Sequence, residues 1–176
     1  MKKSLLLLFL GLTLVLSSCK KSDDNTTAPT TPTDPVVGTW VSEGVNVPLG
    51  LRLLKVKKIV ATFNDNKTYS VVQTDSSNVT TTVQGTYTST ATDYTDTLST
   101  TGTKGAKIYN IVANQTAPAV TATGIYSVNG NSMAYEVIQT SPVLSGVNAP
   151  TAQGGFGSTT VGGVKYAIYI QKYVKQ

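Results

Sequence analysis

Short segments of alternating apolar and polar residues, separated by turn-forming residues, run from Val36 to the end of the chain. Residues 58–63 show the pattern, because Ile59, Ala61 and Phe63 share one face at the period of two that indicates a half-buried strand. The Asn- and Asp-rich stretch 64–67 then predicts a turn, since both residues tolerate left-handed backbone. Similar segments predict further strands at 36–41, 69–72, 79–87, 94–98, 106–113, 121–128, 133–137 and 164–174.

These strands predict an all-β domain of about eight or nine short strands, either an antiparallel up-and-down barrel or a β-sandwich. Asn129-Gly130 predicts a type I′ hairpin turn, in which both central residues need positive φ. Residues 49–56 are the one segment with a helical pattern. In the final predicted strand, Ile168 and Ile170 share one face, which assigns Tyr169 and Tyr173 to the solvent face.

Residues 139–163 predict a long loop, because they hold six of the 15 glycines and two prolines. Loops of this length are usually functional or disordered. Phe156 stands between glycines in this loop. One interpretation makes it a ligand-binding residue in a lid over the barrel mouth. The other packs it back against the barrel, and the sequence leaves both open.

The N-terminus carries export features. Residues 5–16 form a 12-residue apolar run, which is shorter than the roughly 20 residues that span a bilayer and typical of a secretory signal. The string Leu16-Ser17-Ser18-Cys19 that follows resembles a bacterial lipobox. That resemblance implies a signal peptide over residues 1–18 and lipidation of Cys19, which would anchor the protein to a membrane. Diacylation of that kind gives stable anchoring.

Residues 19–35 predict the lipidated Cys and a disordered tether, with five Thr and three Pro in residues 20–35 and no large apolar side chain. The start of this segment, Cys19 to Asp24, resembles lipoproteins of the Bacteroidota. The resemblance implies the outer membrane as the location. Whether the two Asp residues direct display on the cell surface or only begin a solvated linker stays open.

Composition argues against catalysis. The chain has no His and one Cys, so the commonest general base and the commonest metal ligand are missing, and a cysteine-cluster zinc site is excluded. We therefore expect no enzyme, no cofactor and no metal site. Glu136 would be exposed if the Tyr135 face is buried, and would line the barrel in the opposite register. Removal of residues 1–18 takes two Lys from the formal charge of +5 and leaves +3, which does not favour nucleic-acid binding.

The start of the folded part resembles a known family. Gly38-Thr39-Trp40 resembles the Gly-x-Trp motif of lipocalin-like (calycin-like) barrels, and 63–69 resembles the second hairpin of lipocalin-like lipoproteins. The resemblance implies a barrel domain over 36–176, Trp40 as a structural plug, and an Arg of the last strand against it. Here the last strand offers Lys172 and Lys175 instead.

The same resemblance implies a small apolar or amphipathic ligand inside the barrel. The alternative is a surface interaction module without a small-molecule pocket, which would bind an envelope protein or a polysaccharide.

Overall fold

A computed structural model describes residues 34–98 and 105–176. It confirms the predicted all-β barrel, because eight antiparallel strands form one closed sheet, and the sandwich alternative is wrong. The strands are β1 (Gly38–Glu43), β2 (Val56–Phe63), β3 (Thr68–Asp75), β4 (Thr80–Thr95), β5 (Lys107–Gln115), β6 (Val120–Asn129), β7 (Ser132–Ser141), β8 (Val147–Asn148), β9 (Thr160–Val161), β10 (Val164–Lys165) and β11 (Gln171–Lys175). Strands β8 to β10 form a separate small sheet.

The barrel is an up-and-down meander. Strands β1 to β7 each pair with the next, and β11 pairs with both β7 and β1 to close the sheet. Lys175 lies opposite Trp40 in the β1–β11 pair, and Tyr173 lies opposite Met133 in the β11–β7 pair. Closure leaves no free strand edge in the barrel.

Because neighbouring strands are antiparallel, their connections gather at two ends of the barrel. We call one the open end; it carries the connections 44–55, 76–79, 116–119 and 142–170. The other is the closed end; it carries the N-terminal segment from Asp34, the turns 64–67 and 130–131, the connection after β4 and the C-terminus. The only described α-helix, α1 (Leu49–Leu53), lies at the open end and confirms the predicted helical segment in a shorter form.

The interior is filled as the alternation predicts. Ile59, Ala61 and Phe63 of β2 are all buried in the main apolar cluster, so the predicted inner face of this strand is confirmed. Tyr87 of β4 is buried in the same cluster. Outward residues of the long β4 are mostly Thr, and most of them are exposed.

Two strand predictions are wrong. Residues 94–98 are no separate strand, because β4 continues through the polar stretch 88–93 to Thr95. Thr is β-branched and suits a pleated strand even without apolar neighbours. The predicted strand 164–174 is also broken: β10 is followed by a 3₁₀ turn, Ala167–Tyr169, and only then by β11. Because the turn breaks the strand, the alternation of sides does not continue from β10 into β11. Tyr173 is therefore buried and faces the interior, and its predicted place on the solvent face is wrong.

The hairpin between β6 and β7 forms, but one residue later than predicted. Asn129 pairs with Ser132, which leaves Gly130 and Asn131 as the two loop residues. Gly130 has φ of +56°, whereas Asn131 is not among the described residues with positive φ. That pattern excludes the type I′ turn and fits type II′.

The predicted long loop is largely ordered against the outside of the barrel. Phe156, 4% exposed, and Ala152 join Ile108, Ile125 and Ala134 in a second apolar cluster, which also contacts Ile170. These three barrel residues alternate with the inward residues of β5, β6 and β7, so their side chains point outward. The segment 149–163, which we call the outer flap, therefore covers one outer face of the barrel.

Candidate functional site

A cavity of about 640 Å³ lies inside the barrel and reaches the open end. Ile59, Val71, Val83, Ala113 and Val137 form its aliphatic wall. None of the residues that line it carries a charged side chain. Ligand pockets of proteins commonly have volumes of this order and mainly apolar walls with a few polar groups.

Aromatic side chains form the floor of the cavity. Tyr69, Tyr135 and Tyr173 line it, and Phe63 lies below them with ring centroids 6.1 Å from Tyr69 and 6.2 Å from Tyr135. Burial raises the pKa of Tyr69, and burial together with neighbouring Tyr hydroxyls raises the pKa of Tyr135 and of Tyr173. These phenols therefore stay neutral at physiological pH, and the floor adds no charge to the cavity.

Four glutamines bring polar groups into the same cavity, one each from β3, β5, β7 and β11: Gln73, Gln115, Gln139 and Gln171. Two of them are held by loops, because Gln115 Nε2 donates to the Pro118 carbonyl at 2.9 Å and Gln139 Nε2 donates to the Pro142 carbonyl at 2.8 Å. Gln171 differs: its side-chain nitrogen is buried and has no hydrogen-bond partner among the described residues.

An unpaired buried donor normally costs free energy, so Gln171 Nε2 is a polar group of the cavity whose hydrogen-bonding capacity the described residues do not use. None of the four glutamines was predicted from the sequence to line a binding site. A signal was present for two of them, because Gln115-Thr116-Ala117-Pro118 and Gln139-Thr140-Ser141-Pro142 repeat one pattern at the ends of two strands. Gln171 carried no such signal, since its inward direction depends on the turn before β11.

The open end is partly covered by a lid. Helix α1 packs on the 3₁₀ turn 167–169, where a Cβ atom at Gly50 would lie 3.8 Å from the Ile168 carbonyl oxygen and 3.9 Å from Tyr169 Cε1. Leu51 of α1 packs on the main cluster. Leu53 and Leu54 line the cavity but remain 73% exposed each. The lid is therefore formed by α1 and this turn, and exposed leucines border the opening.

Trp40 lies near the closed end and is fully buried. Its indole Nε1 donates to the Val36 carbonyl at 2.6 Å, and Lys175 Nζ lies 5.1 Å from the centre of its ring. Lys175 thus occupies the place that the resemblance gives to Arg, and a cation over an indole face is attractive. Gly38 permits this arrangement, because it has φ of +132° and its Cβ position would lie 2.7 Å from Lys175 Cε.

Asp34 ties the N-terminal segment to the closed end. One carboxylate oxygen accepts hydrogen bonds from the Tyr126 hydroxyl at 2.6 Å and the Val36 N–H at 3.2 Å, and the other accepts from Lys67 Nζ at 2.8 Å. Burial alone would raise the pKa of Asp34, but these bonds and the charge of Lys67 outweigh it and lower that pKa below 3.8. Among the described residues, Asp34 thus already contacts the barrel.

Phe156 does not line the cavity, because it is packed under the outer flap as described above. The flap is held by Glu136, which the structure places outside the barrel yet fully buried. Its carboxylate accepts hydrogen bonds from Gly157 N at 2.6 Å, Thr159 N at 3.2 Å and Thr159 Oγ1 at 2.5 Å. Neither expectation for Glu136 is right: it faces away from Tyr135 as the alternation requires, but the flap covers it.

Cys19, the predicted lipidation site, lies outside the described residues. Among the residues that are described, no three His, Cys, Asp or Glu side chains come together in a way that could hold a metal ion. No described helix has the length and apolar character needed to cross a membrane.

Comparison of the chain with protein families, with curated proteins and with solved structures finds no match in any of the three.

Proposed function

We propose that this protein is an outer-membrane lipoprotein, anchored through Cys19, whose lipocalin-like barrel binds one small, uncharged, apolar or amphipathic molecule. The cavity inside the barrel is the observation that carries the proposal. Its volume of about 640 Å³ falls in the range of small-molecule pockets. Burying an apolar ligand there would gain about 25 cal/mol for each Å² removed from water.

The chemistry of the walls supports a neutral ligand with a hydrogen-bond acceptor. A charged ligand would lose its hydration without meeting an opposite charge among the lining residues. A carbonyl or ether oxygen near Gln171 Nε2 would instead pair the buried donor that has no partner in the protein. The upper part of the cavity, which is lined by glutamines, suits the polar part of an amphipathic molecule.

Two further observations support the lipocalin-like and lipoprotein parts of the proposal. The closed eight-strand barrel begins with Gly38-Thr39-Trp40, and a cation from the final strand lies on the Trp40 ring. The lipobox-like string before Cys19 precedes this domain by a Thr- and Pro-rich segment. Export followed by lipidation would leave the barrel tethered to the membrane by residues 19–35.

The alternative is an interaction module for an envelope protein or a polysaccharide, with the barrel interior filled by side chains. A filled interior is common in small eight-stranded barrels. The cavity favours the ligand-binding proposal over this alternative.

Titration with N-phenyl-1-naphthylamine, an uncharged apolar fluorophore, tests the proposal. Residues 32–176 serve as the test protein, because they form a compact unit that contains every barrel strand. We expect a saturable rise in probe fluorescence with one site per chain. Val71 lines the cavity, so Val71→Trp should fill part of it and abolish the saturable signal.

Val72→Trp is the matched control, because Val72 is the next residue of β3 and points to the opposite face. It should leave probe binding unchanged. Binding that survives Val71→Trp as well as Val72→Trp, or no binding to the unaltered domain, would contradict the proposal. Circular dichroism of both variants establishes that the barrel is folded.

A further inference from the structure

The open end exposes apolar side chains around the cavity. Leu53 and Leu54 are each 73% exposed and Leu144 is 43% exposed. All three line the cavity inside the barrel, so they border its opening. Exposed leucines cost free energy in water, and clusters of them mark interaction sites. We call these three residues the mouth leucines.

Internal packing does not account for the mouth leucines. Helix α1 already directs Leu51 into the main apolar cluster. Leu53 ends this helix and Leu54 follows it, and both remain in solvent although the helix is docked. They are therefore accessible to a partner outside the barrel.

The connection 44–55 and the start of β2 are together strongly basic. Residues 44–58 contain Arg52, Lys55, Lys57 and Lys58 and no acidic residue. Only Lys58 of these four is in an ion pair among the described residues, with Glu43 at 3.6 Å. Lys57 Nζ is hydrogen-bonded to the neutral side chain of Asn78. Three cations thus lie beside the mouth leucines without an acidic partner.

The other connections at the open end do not offset this charge. Residues 116–119 and 142–170 contain no acid, and the latter add Lys165. Two acids border this end, Glu43 at the end of β1 and Asp75 at the end of β3, and they stand against the five cations Arg52, Lys55, Lys57, Lys58 and Lys165. The open end therefore carries exposed leucine and net positive charge together.

We propose that the open end of the barrel docks onto an anionic lipid bilayer, with the mouth leucines inserted into the interface and Arg52, Lys55 and Lys57 on the headgroups. Apolar side chains flanked by cations are the combination that binds anionic membranes. A second copy of the chain fits this surface poorly, because two basic faces would repel each other. The leucines also continue into the uncharged cavity, so an apolar molecule could pass between bilayer and barrel without crossing water.

Vesicle flotation with residues 32–176 tests the proposal, because this unit lacks the predicted signal and Cys19. Vesicles contain phosphatidylcholine alone or with about one third phosphatidylglycerol. We expect binding to the anionic vesicles, weakened at high salt because exposed charges are screened. The triple variant Arg52→Gln, Lys55→Gln, Lys57→Gln should bind about a hundredfold more weakly, at about 1 kcal/mol for each cation removed.

The double variant Leu53→Ser, Leu54→Ser should also lose vesicle binding. A matched control removes one exposed leucine and one exposed lysine from the closed end, Leu98→Ser with Lys107→Gln, and should bind as the unaltered domain does. Equal binding by all variants, or none by the unaltered domain, would overturn the proposal. So would a dimer in solution that the leucine variant disrupts. Titration of the triple variant with N-phenyl-1-naphthylamine tests ligand binding in the cavity separately from vesicle binding.

Discussion

Two glycines allow neighbouring strands of the barrel to approach closely. A Cβ atom at Gly85 would lie 1.9 Å from the Asn114 carbonyl oxygen, and one at Gly124 would lie 2.0 Å from the Glu136 carbonyl oxygen. Real side chains do not occupy such positions without moving the partner strand. The strand pairs β4–β5 and β6–β7 therefore depend on these residues having no side chain.

We expect Gly124→Ala to lower the free energy of unfolding by about 3 kcal/mol, because overpacking against backbone forces strands apart. Gly50→Ala is the matched control. Its Cβ would make ordinary contact at 3.8 Å with the Ile168 carbonyl oxygen, and Ala favours a helix over Gly by about 1 kcal/mol. Urea unfolding of both variants measures the difference, and equal effects would show that the β6–β7 approach is not the cause.

The outer flap is the element whose position depends most on one side chain. Phe156 packs it on the barrel, and the Glu136 carboxylate accepts three hydrogen bonds from Gly157 and Thr159. Both oxygens of Glu136 are used, and the group is fully buried. The flap therefore supplies the hydrogen bonds for the carboxylate of Glu136, which the alternation of β7 directs outward. The same hydrogen bonds hold the flap against the barrel.

Glu136→Gln should release the flap, because the amide puts an NH₂ donor in place of one acceptor oxygen, facing either the Gly157 N–H or the Thr159 N–H. We expect a loss of about 2–3 kcal/mol of unfolding free energy and faster hydrogen exchange in residues 152–163. Glu43→Gln is the control, since Glu43 is exposed and its side chain makes a 3.6 Å ion pair with Lys58. Unchanged exchange in the flap would contradict this role.

The molecule as a whole has two different ends. The closed end is fixed by Trp40 and by the Asp34 network, which joins the N-terminal segment to Tyr126 of β6 and to Lys67 of the 64–67 turn. The open end has a short lid, exposed leucines and the cavity. Rigid support at one end and an accessible interior at the other suit a protein that takes up a ligand.

The Asp34 network predicts acid sensitivity of the whole domain. Because the pKa of Asp34 is lower in the folded protein than the ordinary 3.8, its contribution is complete above pH 3.8 and is lost as the pH falls through the lowered pKa. Asp34→Ala should cost about 1.5–3 kcal/mol at neutral pH, as hydrogen bonds to a charged group are lost.

Urea unfolding between about pH 6 and pH 2.5 measures the effect. The difference in unfolding free energy between the unaltered domain and Asp34→Ala should become smaller as the pH falls. Asp65→Ala, which removes an exposed Asp from the same end of the barrel, serves as the control. A difference in unfolding free energy that stays constant over this pH range would mean that Asp34 contributes no pH-dependent stability.

The sequence by itself determined most of the barrel strands and most of their inner faces. Ile59, Ala61 and Phe63 could be assigned because side-chain direction alternates along a strand whatever the strand pairs with. The alternation failed as a guide where the strand was broken, because the 3₁₀ turn at 167–169 placed Tyr173 on the opposite side from the predicted one. It also failed at Thr88 to Asp93, which continue β4 although their polar composition predicted a break between two strands. Trp40 was found through its motif.

Only the tertiary structure decided the candidate site. Whether eight strands enclose a space depends on how the barrel closes and on which side chains meet across it, and no local pattern encodes this. Gln171 became an unpaired donor in the cavity because of the turn that precedes β11. Glu136 was buried because residues far along the chain fold back over β7, and burial is a property of the partners that cover a side chain rather than of its own position in the alternation.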